Sequence, residues 1–143
     1  ANIPFSAIAS AAIATAANYI ANAASLILTT DKVWSAASTV ALSGTSTVTP
    51  DMNAGINFTF TATTNTPFTL ANPTNATKVG QSGFIRVAQP ASGSPAAISY
   101  GSNWKPVGGS AQSLTATVGK VDVIFYVITG SNEIAYNIGK AII

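Results

Sequence analysis

Residues 68–109 read FTLANPTNATKVGQSGFIRVAQPASGSPAAISYGSNWKPVGG, and this stretch decides the fold class. Turn residues stand at 72–75 (NPTN), at 80–83 (GQSG) and at 108–109 (GG), with short apolar runs at 84–89 and 98–100 between them. Proline fixes φ, while Asn and Gly tolerate backbone angles that other residues avoid. The pattern therefore predicts short strands joined by tight turns.

The same pattern extends to both sides of this stretch. Residues 56–63 (INFTFTAT) alternate, with Ile56, Phe58, Phe60 and Ala62 on one face, which predicts a half-buried strand. Residues 121–128 (VDVIFYVI) are apolar on nearly both faces and predict a central strand covered on both sides. Residues 133–138 are predicted to close a hairpin through 129–132, with Ile134, Tyr136 and Ile138 alternating inward. Shorter strands are predicted at 39–42, 68–70, 84–89 and 98–100.

About eight short strands at this spacing favour a mainly β fold, and we expect an antiparallel β-sandwich or jelly-roll-like knob. Only one helix is predicted and it comes first, so a parallel α/β fold is not expected. We assign residues 33–143 to the knob and residues 1–32 to an N-terminal, Ala-rich helix or arm.

The N-terminal region has no charged side chain before Asp31 and is rich in Ala and Ile. Alanine is the best helix former, so a helix is predicted from about residue 4 to residue 28. Four interpretations stay open: a transmembrane helix, a signal peptide, a helix packed on its own domain, and an assembly arm that packs on partner chains. Missing basic flanks and many weakly hydrophobic Ala residues argue against the first two, so no stable membrane insertion is expected. The residues predicted to form the arm's contacts are Pro4, Phe5, Ile8, Ile13, Tyr19, Ile20 and Ile27.

Composition excludes several kinds of chemistry. The 143 residues include no Cys and no His, which excludes disulfides, thiol nucleophiles and imidazole catalysis. Charged residues make up only 7% of the chain, against roughly 25% in ordinary soluble domains, and this favours burial against neighbours. The few Lys and Arg are scattered, so nucleic-acid binding is not expected.

The four acidic residues lie in four separate segments, and each is interpreted as structural. A glycosidase needs two carboxylates about 5–10 Å apart, and Asp122 with Glu133 is the one pair that we keep as a candidate. The sequence contains neither a P-loop nor an acidic cluster suited to calcium. We therefore predict no catalytic, cofactor or metal site, and no enzyme activity.

Four aromatic side chains leave two interpretations open. Trp34, Trp104, Tyr100 and Tyr126 could stack on sugars or pack in the core and at interfaces. Core packing is favoured for Trp104. Trp34, at the junction between helix and sheet, is predicted to act as a wedge that orients the arm. The loop at 89–95 (QPASGSP) is predicted to protrude from the surface.

Residues 66–128, with the turns NPTN, GQSG and GG and the strands between them, resemble a small β module of tailed-bacteriophage virion proteins. This module occurs in tail fibres, head fibres and capsid-decorating proteins. The resemblance implies a virion structural protein that is assembled in the host cytoplasm, commonly as a homotrimer, and implies no catalytic position. A short arm plus one knob favours a capsid decoration (cement) protein that binds the major capsid protein at capsomer junctions, on the capsid surface.

Two other functions remain as expectations. One is a tail fibre or spike domain for receptor or glycan binding, with Tyr100, Trp104 and the 89–95 loop as contacts. The other is a cellular surface or adhesin fragment without a viral role.

Overall fold

A computed structural model of the protein describes residues 30–143. This part of the chain contains one short helix, α1 (Thr30–Ala36), and nine strands. The strands are β1 (Thr39–Ala41), β2 (Thr47–Val48), β3 (Asn57–Thr61), β4 (Phe68–Leu70), β5 (Ser82–Ala88), β6 (Ile98–Tyr100), β7 (Trp104–Pro106), β8 (Val121–Gly130) and β9 (Glu133–Gly139). The predicted helix at 4–28 lies outside the described residues. Helix α1 crosses the predicted boundary between residues 32 and 33.

The chain winds alternately between two sheets from β1 to β6. Strands β1, β3 and β5 belong to a six-stranded sheet in the order β1-β3-β5-β8-β9-β7, and β2, β4 and β6 form a three-stranded sheet in that order. Each strand pairs in parallel with the strand two places earlier in the chain, as in Thr39 with Asn57 and Asn57 with Phe84. This is the stacking of successive turns that characterises solenoid-like β folds.

The prediction of an antiparallel fold is therefore wrong for this half of the domain. Period-two alternation reports which face of a strand is buried, and parallel and antiparallel strands share that period. A parallel pair needs a long crossover, and here the crossover from one strand to the next in the same sheet passes through a strand of the other sheet. Only the β5–β8 and β8–β9 pairings in the described chain are antiparallel.

One hydrophobic core contains side chains from both sheets. Phe58 and Phe60 of β3 are buried, as are Phe68 and Leu70 of β4, and the rings of Phe60 and Phe68 lie 4.8 Å apart between centroids. The predicted inward face of 56–63 is confirmed at Phe58, Phe60 and Ala62, whereas Ile56 is only half-buried. Ile85 and Val87 of β5 are buried as well. The mainly β class is confirmed.

The long strand β8 differs from its prediction. It is central, as expected, because it lies between β5 and β9. Its inward side chains, Ile124 and Ile128, are buried, but Phe125 is 55% exposed and Val127 is 36% exposed on the opposite face. The outer face of this strand is therefore open over half of its length, although its sequence is apolar on both sides.

The predicted hairpin is confirmed. Strands β8 and β9 pair through a turn at 131–132, where Asn132 has a φ of 58°. Ile134 and Tyr136 are buried as predicted, and Ile138 is partly buried against the core. Three short elements were not predicted, namely α1, β2 and β7, because runs of two to seven residues carry too little periodicity to be recognised.

Candidate interaction surfaces and the placement of polar groups

Asp122 is buried inside the domain and links two other segments through hydrogen bonds to its carboxylate. We call this arrangement the Asp122 clasp. It is 1% exposed, and its carboxylate accepts hydrogen bonds from the Thr115 N–H (2.6 Å), the Thr115 hydroxyl (2.7 Å) and the Ala141 N–H (2.7 Å). Buried carboxylates are tolerated when such donors replace water. Asp122 thus ties the 110–119 loop and the C-terminal residues to the start of β8.

Glu133 does not approach Asp122, so the candidate carboxylate pair is not brought together. Asp122 stands at the start of β8, and Glu133 pairs with Gly130 at the far end of the same hairpin. At a rise of about 3.3 Å per residue, the two carboxylates are more than about 20 Å apart. The Glu133 carboxylate accepts instead from the Thr129 hydroxyl at 2.8 Å.

Asp51 closes a turn in the segment between β2 and β3. Its Oδ1 accepts from Asn75 Nδ2 at 2.7 Å and from the Asn53 N–H at 3.0 Å. The hydrogen bond from Asn75, followed by the one from Asn53, holds the pKa of Asp51 below its ordinary value. Asp31 lies in the first turn of α1. Within residues 30–143, no three His, Cys, Asp or Glu residues come close enough together to hold a metal ion.

Trp104 is part of the core and is only 4% exposed. Its ring meets those of Tyr126 and Tyr136 edge to face, at centroid distances of 6.2 and 6.1 Å, and its Nε1–H donates to the Ala71 carbonyl at 2.9 Å. The favoured interpretation of Trp104 as a packing residue agrees with this placement. A side chain so deeply buried offers no ring face to a sugar, so this placement does not support a glycan contact through Trp104.

Tyr100 is partly buried and stacks on Tyr136 with 4.5 Å between ring centroids. Its hydroxyl donates to the Gln112 carbonyl at 3.0 Å. Burial, with a further contribution from Tyr136, raises the pKa of the Tyr100 hydroxyl far above its ordinary value. The ring face that stacks on Tyr136 and the hydroxyl of Tyr100 are therefore both engaged within the domain.

The Trp34 side chain is 77% exposed. The arm that it is predicted to orient lies outside the described residues. The 89–95 loop is exposed at Ala91 to Ser94, but its ends are held. Buried Gln89 exchanges hydrogen bonds with both backbone groups of Ala96, at 3.1 and 2.8 Å.

The most conspicuous surface is the outer side of β8 and its neighbours, which we call the β8 face. It consists of Phe84, Val107, Phe125, Val127 and Ile142. The ring of Phe125 and the side chain of Ile142 both approach Gly139, where an added Cβ would lie 3.2 Å from Phe125 Cε2 and 3.9 Å from Ile142 Cγ2. A shallow groove of about 230 Å³ runs beside Phe125, Val127 and Val107.

Sequence reasoning missed the β8 face for a definable reason. The apolar run at 121–128 predicts a central strand that is covered on both sides, without showing what covers it. An apolar outer face looks the same in sequence whether the same chain or a neighbour covers it.

The residues of the predicted assembly arm, Pro4, Phe5, Ile8, Ile13, Tyr19, Ile20 and Ile27, lie outside the described residues. Within the described part of the chain, no helix reaches the length and hydrophobicity that crossing a bilayer requires. Comparison with protein-family models, with curated proteins and with solved structures found no match for this chain.

Proposed function

We propose that this chain is a non-enzymatic structural protein of a tailed-bacteriophage virion, namely a capsid decoration protein that binds the outer shell at capsomer junctions and stabilises the head. The β8 face is the observation that carries the proposal beyond the sequence resemblance. Phe125 and Val127 of β8 are 55% and 36% exposed there, and Val107, one residue beyond β7, is 59% exposed. The whole chain has only 7% charged residues. An apolar surface of this kind favours contact with neighbouring proteins over contact with water.

Stabilisation by such a protein follows from shared burial. Each Å² of apolar surface removed from water contributes about 25 cal/mol. A protein that binds only the assembled shell shifts the equilibrium toward that shell by mass action. In this role the two sheets serve as a sandwich-like knob, repeated in a homotrimer, and residues 1–32 attach it to the major capsid protein.

The winding from β1 to β6 suits a knob that must resist deformation. Asparagine side chains tie consecutive turns together at several corners: Asn72 Oδ1 accepts from the Asn103 N–H at 2.8 Å, and Asn65 Oδ1 accepts from the Ser94 N–H at 3.0 Å. Uncharged amides make these bonds without adding charge to the surface. Part of the polarity that the composition places in Asn thus links consecutive turns of the chain at the surface.

The proposal is tested by binding purified protein to genome-filled particles and to tail-less heads. We expect binding to both, and a rise in the temperature at which the heads release DNA. Removal of residues 1–30 should abolish binding while the circular dichroism spectrum of the β domain is retained. Binding to tails or host cells without binding to heads would overturn the decoration role.

A tail fibre or spike domain for glycan binding is the second candidate. The outer side of the three-stranded sheet favours it, since the hydroxyls of Thr69 and Ser99 lie 2.8 Å apart beside a shallow depression lined by Pro67, Ala97 and Ile98. Binding of a host polysaccharide that is lost in Ser99→Ala would support this role. Unchanged binding in that variant would place the contact elsewhere.

A further inference from the structure

A cation borders the apolar centre of the β8 face on one side. Phe125 and Val127, which form this centre, stand two residues apart on β8 and are both exposed on its outer side. Arg86 of β5 is in register with Val123, which precedes Phe125 by two residues and projects to the same side of β8. Arg86 therefore lies one strand away from the centre, beyond its Phe125 end.

An anion borders the centre on the opposite side. Glu133 of β9 is exposed and in register with Gly130 of β8, whereas the next residue, Ile134, is buried in the core. Because successive side chains of a strand point to opposite faces, Glu133 projects outward. Its carboxylate accepts from the hydroxyl of Thr129, which follows Val127 by two residues, at 2.8 Å. Glu133 therefore lies one strand away on the other side of β8, beyond the Val127 end.

The two charges lie on a diagonal whose middle falls between Phe125 and Val127. Each is one strand spacing of about 4.8 Å from β8, and each is about 10–13 Å along the strand direction from the middle of the Phe125–Val127 pair. A two-fold axis through this point, running between two stacked sheets and perpendicular to the diagonal, exchanges the two positions. It sets Arg86 of each copy over Glu133 of the other. The face is thus complementary to itself, as an interface with two-fold symmetry requires.

The third charged side chain on this side of the sheet is compatible with the same arrangement. Lys105 of β7 is exposed and level with Ala135 of β9. The rotation brings Lys105 near Gly139, at the end of β9, and not over a cation of the second copy. Since charges of both signs border the face, it does not select a strongly acidic or strongly basic partner. A second copy of this chain matches the charges at both margins.

We propose that, in the free protein, the β8 face packs against the β8 face of a second copy about a two-fold axis, with two Arg86–Glu133 pairs at its margins. The apolar centre supplies affinity, and the charge pairs fix the orientation. The contact is small, so we expect a dissociation constant in the micromolar range. The inference concerns the free protein and does not depend on the viral role, so either can fail without the other.

The test is sedimentation of the full chain at low salt, from about 1 μM to about 1 mM. We expect Arg86→Glu and Glu133→Arg each to weaken dimerisation at least about tenfold, because each variant sets like charges against each other at two places. An equimolar mixture of the two variants should recover dimerisation. In the mixed dimer every introduced charge faces the opposite charge, which only a contact between two copies can produce.

Two further variants serve as controls, and circular dichroism verifies the fold of all four. Lys120→Glu makes the same charge change as Arg86→Glu at an exposed position outside the face, and dimerisation should be unchanged. Phe125→Lys should weaken dimerisation without any effect on the charge pairs. A protein that stays monomeric up to about 1 mM, association that survives both charge reversals, or a mixture that fails to recover it would overturn the proposal.

Discussion

The side-chain amide of Asn57 donates to the carbonyl of Ala37 at 2.7 Å and thereby fixes the start of the domain to β3. The same side chain accepts from the Phe84 N–H through Oδ1 at 3.2 Å. One amide therefore bridges three consecutive passes of the chain. Because Asn57 is only 9% exposed, neither backbone partner has easy access to replacement water.

Replacement of Asn57 should therefore be costly. Asn57→Ala leaves the Ala37 carbonyl and the Phe84 N–H without their partner, and we expect a loss of about 2 kcal/mol in the free energy of unfolding. Asn57→Asp should cost at least as much, because it sets a carboxylate oxygen against the Ala37 carbonyl. Urea denaturation measures both, with exposed Asn53→Ala as the control. Equal midpoints for Asn57→Ala and Asn53→Ala would show that the bridge is unimportant.

Gly83 is predicted to be irreplaceable for a steric reason. A Cβ at this position would lie 1.8 Å from the Ile56 carbonyl oxygen, so β5 would have to move away from the segment that leads into β3. We expect Gly83→Ala to destabilise the domain by about 3 kcal/mol, at the upper end of overpacking effects. In Gly130→Ala the nearest atom, Glu133 Cβ, is 3.5 Å away, so only a small change is expected. Thermal unfolding of the two variants should show a much larger loss of stability for Gly83→Ala. A similar loss in both variants would show that Gly83 is not sterically constrained.

The Asp122 clasp gives a third prediction. Asp122→Asn retains one acceptor oxygen but turns an NH2 group toward N–H or O–H donors, and we expect a loss of about 3 kcal/mol, in the range of a broken buried polar network. Hydrogen exchange should show the loss first at Thr115 and Ala141, whose N–H groups bind the carboxylate. The matched control is Glu133→Gln at an exposed carboxylate, for which little change is expected. Unaltered protection of Thr115 and Ala141 in Asp122→Asn would contradict the clasp.

The turn at Asp51 predicts a pH dependence. Its pKa is lower in the folded protein than the ordinary 3.8, mainly because of the bond from Asn75. The stabilisation is therefore fully present above pH 3.8 and is lost as the pH falls through the lower, folded value. NMR titration of the Asp51 carboxyl should show this depressed pKa, and Asn75→Gly should raise it toward the ordinary value. A pKa at or above 3.8 in the unsubstituted protein would refute the assignment.

Much of the secondary structure could be predicted from the sequence. The inward faces of β3 and β9 follow from alternation, because side chains of a strand point to opposite sides in turn. Strand direction could not be predicted in this way. The parallel pairing of β3 with β5 depends on where the intervening chain travels, and a short strand such as β4 gives little sign that it belongs to a second sheet.

The same distinction applies to the candidate site residues. Their types could be predicted from the sequence, but their proximity and burial could not. Residue types alone excluded His and Cys chemistry, because those side chains are missing from the sequence. Whether Asp122 and Glu133 meet was a question of register, and the hairpin sets them at opposite ends. Whether Trp104 is a surface platform or a core residue was a question of packing, and its burial between Tyr126 and Tyr136 decides it.

By itself, the sequence determined the mainly β class, the positions of most strands and turns, and the low charge of the surface, since these depend on local backbone preferences and composition. Only the tertiary structure decided the winding between two sheets, the amide bridges between turns and the exposure of Phe125 and Val127. These depend on contacts between residues far apart in the chain, and such contacts leave no periodic signal in the sequence.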